Sequence, residues 1–86
     1  MTKRSLFSFL FAFLLMVSGL AYALDQFSTE AAAQKHCPTD TVVWLNTQTG
    51  VWHYKGQRWY GNTKNGAYVC MKEAAAEGDR GTKNGQ

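Results

Sequence analysis

The stretch over residues 41–71 constrains the fold more than any other part of the chain, because runs of strand-forming residues alternate there with glycine-bearing turns. It contains all three tryptophans, three of the four tyrosines and one of the two cysteines. β-Branched and aromatic residues favour strands, where side chains alternate between the two faces of a sheet. We therefore predict strands over Val42–Asn46, 51–54 and 67–71.

Turn residues separate these strands, and a helix-forming segment follows them. Gly50 closes a short hairpin loop, and the dipeptide at 65–66, Asn-Gly, is a strong turn signal before the third strand. Residues 72–77 are rich in alanine, and Gly78 suits the end of a helix. The predicted fold class is α+β: a small three-stranded antiparallel β-meander with a C-terminal helix.

Residues 1–23 follow the plan of a secretory signal peptide. Two basic residues precede an apolar run over 6–17, and small residues lead to a cleavage site after Ala23. The exported chain would then begin at Leu24. The alternative is an uncleaved membrane anchor, since the apolar run could almost span a bilayer.

The segment over 24–36 has two interpretations. Ser28 or Thr29 could cap one or two helical turns built on the alanine run, or the segment could be a flexible tether. Residues 81–86 are polar and contain glycine, so we expect a flexible tail there. The folded domain is then residues 37–80.

The chain has two cysteines, Cys37 and Cys70. Export brings them into an oxidising compartment, where two cysteines are expected to form one disulfide that clamps a domain with a small core. A zinc site made of His36, Cys37, His53 and Cys70 is the alternative, although the spacing contains none of the short ligand pairs of known zinc sites. We predict the disulfide, with neither a metal nor a cofactor.

Aromatic residues exceed the needs of one small core. We expect Trp44 or Trp52 in the core, and some of the remaining rings on a stacking surface beside basic turn residues. The candidate ligand-binding residues are Trp52, Tyr54, Arg58, Trp59, Tyr60 and Lys64. We expect Trp59 and Tyr60, as neighbours in an extended segment, to point to opposite sides, and at least two of the four candidate rings to be exposed and adjacent. The alternative is that all of them pack inside.

The sequence predicts no catalytic residues. His53 is a tempting general base, but neither a serine nor a carboxylate is placed to work with it, so we expect a packed histidine. The net charge of +3 includes two basic residues of the leader. Without them, seven basic residues stand against six acidic ones, so charge is weak support for nucleic-acid binding.

The residues of the second half resemble a known pattern. The chain reads VWHYKGQRWYGNTK over 51–64, GAYVC over 66–70 and GDR over 78–80. This is similar to Y-H-x-P-G-x-R-W-Y-G-x-T-K-x-G-x-Y-M, followed by an alanine-rich helix and G-Y-R, in small exported bacterial proteins of unassigned function. Those proteins also have a preceding V-V-W-x-N-T strand, matched here by 42–47. A looser version is similar to appendages of secreted nucleases and to the metal-binding domain of Ada-type DNA-repair proteins.

Three departures from the pattern bear on what the resemblance implies. Lys55 stands where the pattern has proline, and Asp79 replaces the usual tyrosine. Gln57 stands where metal-binding relatives have cysteine, which argues against a zinc site. The resemblance implies a hairpin, a further strand, a helix and export, and it supplies no activity.

These observations predict an exported, periplasmic or secreted, non-enzymatic binding module of unknown ligand. A cell-envelope glycan or a protein is the expected class of partner, and no membrane contact is expected once the leader is removed. One alternative is a structural or stress-related envelope protein. The other is a nucleic-acid-binding accessory protein.

Overall fold

The computed structural model describes residues 24–86, so the predicted signal peptide lies outside the described residues. Two short helices and four strands follow one another along this part of the chain. They are α1 (Glu30–His36), β1 (Val42–Asn46), β2 (Val51–His53), β3 (Gly66–Cys70), α2 (Met71–Ala76) and β4 (Arg80–Gly81). Within residues 24–86, no helix has the length and apolar character needed to cross a membrane.

The four strands form one mixed sheet in the order β3-β1-β2-β4. β1 is antiparallel to both neighbours, with Trp44 opposite His53 of β2 and opposite Tyr68 of β3. β4 runs parallel to β2. The α+β class and the three predicted strands are confirmed, while the prediction of a purely antiparallel three-stranded meander is wrong.

The error lies in which strand occupies the centre of the sheet. Gly50, at φ 75°, closes a tight β1–β2 hairpin in which its N–H donates to the carbonyl of Asn46. The next connection, over 54–65, is too long for a hairpin, and it returns the chain to the other side of β1. β1 therefore lies between β2 and β3, the position that a meander would give to β2.

α1 is a capped helix, so the structure shows the helical alternative for this segment and not the tether. Thr29 is the N-cap, and its hydroxyl accepts a hydrogen bond of 3.1 Å from the N–H of Ala32. Glu30 lies in the first turn and Lys35 and His36 in the last, which suits the helix dipole. Ala33 is fully buried against the rest of the domain.

One face of the sheet carries the main apolar cluster, and we call it the core face. Its buried side chains alternate along three strands, and Ala74 of α2 packs onto them. They are Val43, Leu45, Trp52, Ala67 and Val69.

The chain reverses direction sharply at the end of α2. Gly78 takes the left-handed conformation at φ 93°. Its N–H donates to the carbonyl of Ala75, and that of Asp79 donates to the carbonyl of Ala74, which is the Schellman pattern of hydrogen bonds. The prediction of Gly78 as the terminator of this helix is confirmed, and the reversal leads the chain directly into β4.

The C-terminal segment, where we expected a flexible tail over 81–86, is hydrogen-bonded to the domain at several points. Gly81 belongs to β4 and lies opposite Trp52 in the register of the parallel pair. The N–H of Thr82 donates to the carbonyl of Trp52, and that of Trp59 donates to the backbone oxygen of Gln86. The segment therefore runs from the sheet edge to the loop over 54–65.

The predicted disulfide between Cys37 and Cys70 is confirmed, with 6.3 Å between the two Cα atoms. Cys37 is the C-cap of α1, and Cys70 ends β3. The bond therefore holds α1 against the face of the sheet opposite the core face. Both cysteines of the chain are used in it, so the predicted alternative of a four-residue zinc site with His36 and His53 is wrong.

The surroundings of Gly66 show that the face opposite the core face is tightly packed. A methyl group at this position would overlap the indole ring of Trp44. The ring is held in place, because its Nε1 donates to the hydroxyl of Thr63 at 2.8 Å and its face meets Tyr68 edge-on. Gly66→Ala is therefore expected to lower the free energy of unfolding by about 1–3 kcal/mol, measured by chemical denaturation.

A double-mutant cycle supplies the control. Trp44→Phe leaves a smaller ring, so adding Gly66→Ala to it should cost less than adding Gly66→Ala to the wild type. Strictly additive costs would show that Gly66 acts through its backbone and not through the overlap with Trp44.

Candidate functional site

A cleft of about 600 Å³ opens at one end of the sheet, on the face opposite the core face. We call it the Trp59 cleft. Its floor comes from the end of β1 and from β2, its wall from the loop over 54–65, and its third side from the C-terminal segment. Most of the lining side chains carry an amide or a hydroxyl group, so the surface can both donate and accept hydrogen bonds.

The floor is set by strand alternation. Val51 and His53 project from β2 to the face that also carries Trp44 and Asn46 of β1, as the register shows. Trp52, between them, therefore projects to the core face. His53 is 7% exposed, and its Nδ1 is buried without a hydrogen-bond partner. It is packed as expected, but this nitrogen has no carboxylate or hydroxyl to orient it for catalysis.

The wall is a series of turns tied to the sheet. The N–H of Tyr54 donates to the side-chain oxygen of Gln57 at 2.8 Å, which starts the first turn. Gly61, at φ 68°, sits where a Cβ would lie 3.0 Å from the hydroxyl of Tyr68. The N–H of Asn62 donates to the carbonyl of Trp59 and closes the last turn. These bonds hold Trp59, Asn62 and their neighbours at the side of the cleft.

Trp59 is the large aromatic surface of the cleft. It is half-buried, and the guanidinium carbon of Arg58 lies 4.9 Å from the centre of its ring. This is within the distance of a cation–π contact. The structure therefore brings together Arg58 and Trp59, two of the residues predicted from the sequence.

The charged side chains that line the cleft are both basic. Lys64 lies on the wall, and Arg80 of β4 lies on the third side with Thr82 and Asn84. No aspartate or glutamate is among the described residues that line the cleft. The site therefore suits a neutral or anionic ligand better than a cation.

Of the six predicted binding residues, Trp59 and Lys64 line the cleft, Arg58 contacts the ring of Trp59, and Trp52, Tyr54 and Tyr60 lie elsewhere. Trp52 is 7% exposed in the core, so it offers no stacking surface and its inclusion among the binding residues is corrected. Tyr54 is 38% exposed, and its hydroxyl is near Gly81, where a Cβ would lie 3.3 Å from it. With Trp59 and Tyr60 both half-buried, the expected pair of exposed, adjacent rings is not present.

Tyr60 connects the loop over 54–65 to α1 through a hydrogen bond. Its hydroxyl donates to Glu30 at 2.8 Å, and its ring meets Tyr68 edge-on. Glu30 also accepts from Lys55 at 2.9 Å, and the hydrogen bonds from Lys55 and Tyr60 hold the pKa of its carboxyl below the usual range. Burial, and then the bond to Glu30, raises the pKa of Tyr60, so the hydroxyl keeps its proton at neutral pH.

Trp59 and Tyr60 do point to different neighbours, but the reason predicted from the sequence is wrong. The residues lie in turns and not in an extended strand. Strand alternation therefore does not separate their rings. The ring of Trp59 contacts Arg58 and lines the cleft, whereas Tyr60 contacts Glu30 and Tyr68.

Sequence reasoning missed the cleft residues outside the aromatic run. Asn46 ends β1, and Arg80, the last residue of the predicted folded domain, belongs to a strand that was not predicted. Strand alternation could have placed Asn46 on the face of His53, but no local signal shows that Arg80 returns to β2. Among residues 24–86, the one group of potential metal ligands is His36, Cys70 and Glu73, which shares His36 and Cys70 with the zinc alternative considered from the sequence.

The chain matches no protein-family model, and no curated protein or solved structure matches it significantly. The resemblance to small exported proteins therefore stays a prediction.

Proposed function

We propose that this chain is an exported, non-enzymatic binding module whose ligand lies in the Trp59 cleft and is sugar-like. The observation that carries the proposal is the aromatic wall beside a polar floor. Trp59, in cation–π contact with Arg58, lies beside a surface rich in amide and hydroxyl groups. Aromatic rings provide flat apolar area, and amides provide directed hydrogen bonds to ligand hydroxyls. This combination is typical of small-ligand sites, where a few polar groups fix orientation.

A binding role is favoured over a catalytic one by the composition of the cleft. General acid–base catalysis needs a titratable group within hydrogen-bond reach of a partner or substrate. His53 is the titratable group closest to such a role among the described lining residues, and its Nδ1 is buried and unpartnered. Nothing in the cleft orients its ring as the carboxylate of a catalytic triad does.

Nucleic-acid binding is the second candidate, favoured by the basic residues. Lys64 and Arg80 line the cleft, and Arg58 stacks at its wall. Single-stranded nucleic acid is bound elsewhere by aromatic platforms in positively charged grooves. Salt dependence separates the two candidates, because phosphate contacts weaken steeply with salt and sugar contacts do not.

Titration with envelope glycan fragments and with short oligonucleotides, each at low and high salt, tests the proposal through tryptophan fluorescence. We expect glycan fragments to change the fluorescence, with an affinity that salt hardly alters. Trp59→Ala should weaken this binding about 5- to 150-fold, the loss of roughly 1–3 kcal/mol measured when one stacking ring is removed from a base-binding site. The two tryptophans that remain in this variant, Trp44 and Trp52, do not line the cleft. Ligand binding to the variant is therefore measured by calorimetry.

Tyr54→Ala is the matched control. It removes an exposed aromatic ring that does not line the cleft, so the affinity should stay unchanged. Tight, salt-sensitive binding of oligonucleotides would favour the second candidate. A response to neither ligand class would leave the role of a structural or stress-related envelope protein.

A further inference from the structure

Two basic side chains of the Trp59 cleft are not neutralised by an acidic one. Lys64 lies on the wall and Arg80 on the third side, and both are exposed. Neither forms an ion pair with another described residue. The carboxylate of Asp79, next to Arg80 in the chain, lies beside Gly50, where a Cβ would be 3.0 Å from its Oδ1. The cleft therefore offers two uncompensated positive charges, which complement a ligand with a negative group.

The basic surface continues beyond the cleft. A smaller depression of about 240 Å³ shares Val51, Arg80, Thr82 and Asn84 with the Trp59 cleft, so the two adjoin. Lys83 is exposed and adds a third positive charge on the side of this depression. A ligand that enters the cleft can thus extend past Arg80 and still meet basic side chains, which suits a short chain of acidic units better than a single one.

The rest of the lining favours acidic sugars over single-stranded nucleic acid. Proteins that bind single strands stack successive bases on several aromatic side chains. Among the described lining residues, Trp59 carries the one large aromatic ring. Its neighbours Asn62 and Thr63 offer amide and hydroxyl groups, which pair with sugar hydroxyls. The planar guanidinium of Arg80 can donate two parallel hydrogen bonds to one carboxylate.

We propose that the ligand of the Trp59 cleft is an acidic glycan, whose carboxylates pair with Lys64 and Arg80 while one sugar ring lies against Trp59. This inference rests on the proposed function, because it names the chemical class of the sugar-like ligand assigned to this cleft. Trp59 and the amide groups contribute affinity for any sugar of suitable shape. The two basic side chains add the preference for a sugar that carries a carboxylate.

A matched pair of oligosaccharides tests this preference by calorimetry at low salt. One is a short uronic-acid oligosaccharide, and the other is the same oligosaccharide with its carboxyl groups reduced to alcohols. We expect the acidic form to bind about tenfold more tightly, the combined effect of two exposed ion pairs. Lys64→Gln and Arg80→Gln should each lower the affinity for the acidic form about 3- to 5-fold and leave that for the reduced form unchanged.

Lys72→Gln is the matched control, since it removes the same charge from α2, outside the cleft. It should bind both oligosaccharides like the wild type, and far-UV circular dichroism verifies that all three variants are folded. Higher salt should narrow the difference between the acidic and the reduced form, because it screens the ion pairs. The salt effect should stay well below that of an oligonucleotide, which carries a phosphate at every unit.

The possible results separate this inference from the proposed function. Equal affinity of the wild type for the two oligosaccharides would overturn the inference and leave a neutral-sugar module. Binding of neither form would refute the proposed function, and the inference with it. An oligonucleotide of the same charge that binds more tightly than the acidic sugar would overturn the inference in favour of nucleic acid.

Discussion

Trp52→Ala is expected to lower the free energy of unfolding by about 3–5 kcal/mol, the usual cost of removing a large buried aromatic side chain. Trp52 is 7% exposed and packs in the core with Val43, Leu45 and Val69. A domain of this size has only a few kcal/mol of stability to lose. Most of the variant should therefore be unfolded at room temperature, as far-UV circular dichroism and urea denaturation would show.

Two variants make this prediction specific to the buried ring. The indole Nε1 of Trp52 is buried without a hydrogen-bond partner, so Trp52→Phe removes an unsatisfied donor together with part of the ring. Its net cost should stay below about 1.5 kcal/mol, because relief of the unsatisfied group offsets part of the lost packing. Trp59→Ala, at the half-buried wall of the cleft, should cost less than Trp52→Ala. Equal losses at the two tryptophans would contradict the assignment of Trp52 to the core.

The Cys37→Ala/Cys70→Ala variant is expected to lose about 3–4 kcal/mol of stability on the chain-entropy account of disulfides. The bond links residues separated by 33 positions, and it fixes α1 to the sheet. For a domain of this length the loss corresponds to a fall in Tm of roughly 12–30 °C. Thermal unfolding followed by circular dichroism measures it.

Chemical reduction of the wild type is the control for that variant. It opens the bond without changing a side chain, so both should melt at nearly the same temperature. Intact mass spectrometry without reductant should show the oxidised protein two hydrogens lighter than the reduced one. A double variant that melts within a few degrees of the wild type would show that α1 is held by packing, with little help from the disulfide.

Local features of the fold could be predicted because their causes are local. β1 has the bounds expected from its run of β-forming residues, and Gly50 provides the hairpin conformation that its position suggests. Thr29 caps α1 as one of the two candidates, and Gly78 ends α2. In each case a single side chain or glycine decides the backbone conformation of its own neighbourhood.

The strand order required information that the local pattern does not carry. Two facts in the sequence could have supplied it. The connection over 54–65 is long for a hairpin, and a disulfide between Cys37 and Cys70 places the end of β3 near the start of β1. Both favour pairing of β3 with β1, with Cys70 opposite Val42.

The candidate site was predictable only in part, because it is assembled from distant segments. Trp59 and Lys64 belong to the aromatic and basic run, and composition was enough to single them out. Arg80 reaches the cleft through a two-residue strand, which is too short to leave a pattern.

The two outer strands of the sheet bear on self-association. An exposed edge with a long row of free N–H and C=O groups is a template for aggregation. Here the outer edge of β3 is engaged at Tyr68 by Phe27, and the outer edge of β2 is covered by β4, which is itself only two residues long. In residues 24–86 each side of the sheet thus ends in a fragment too short to recruit another strand. The Phe27 bridge and β4, neither of which was predicted from the sequence, therefore disfavour fibril-like growth from this domain at high concentration.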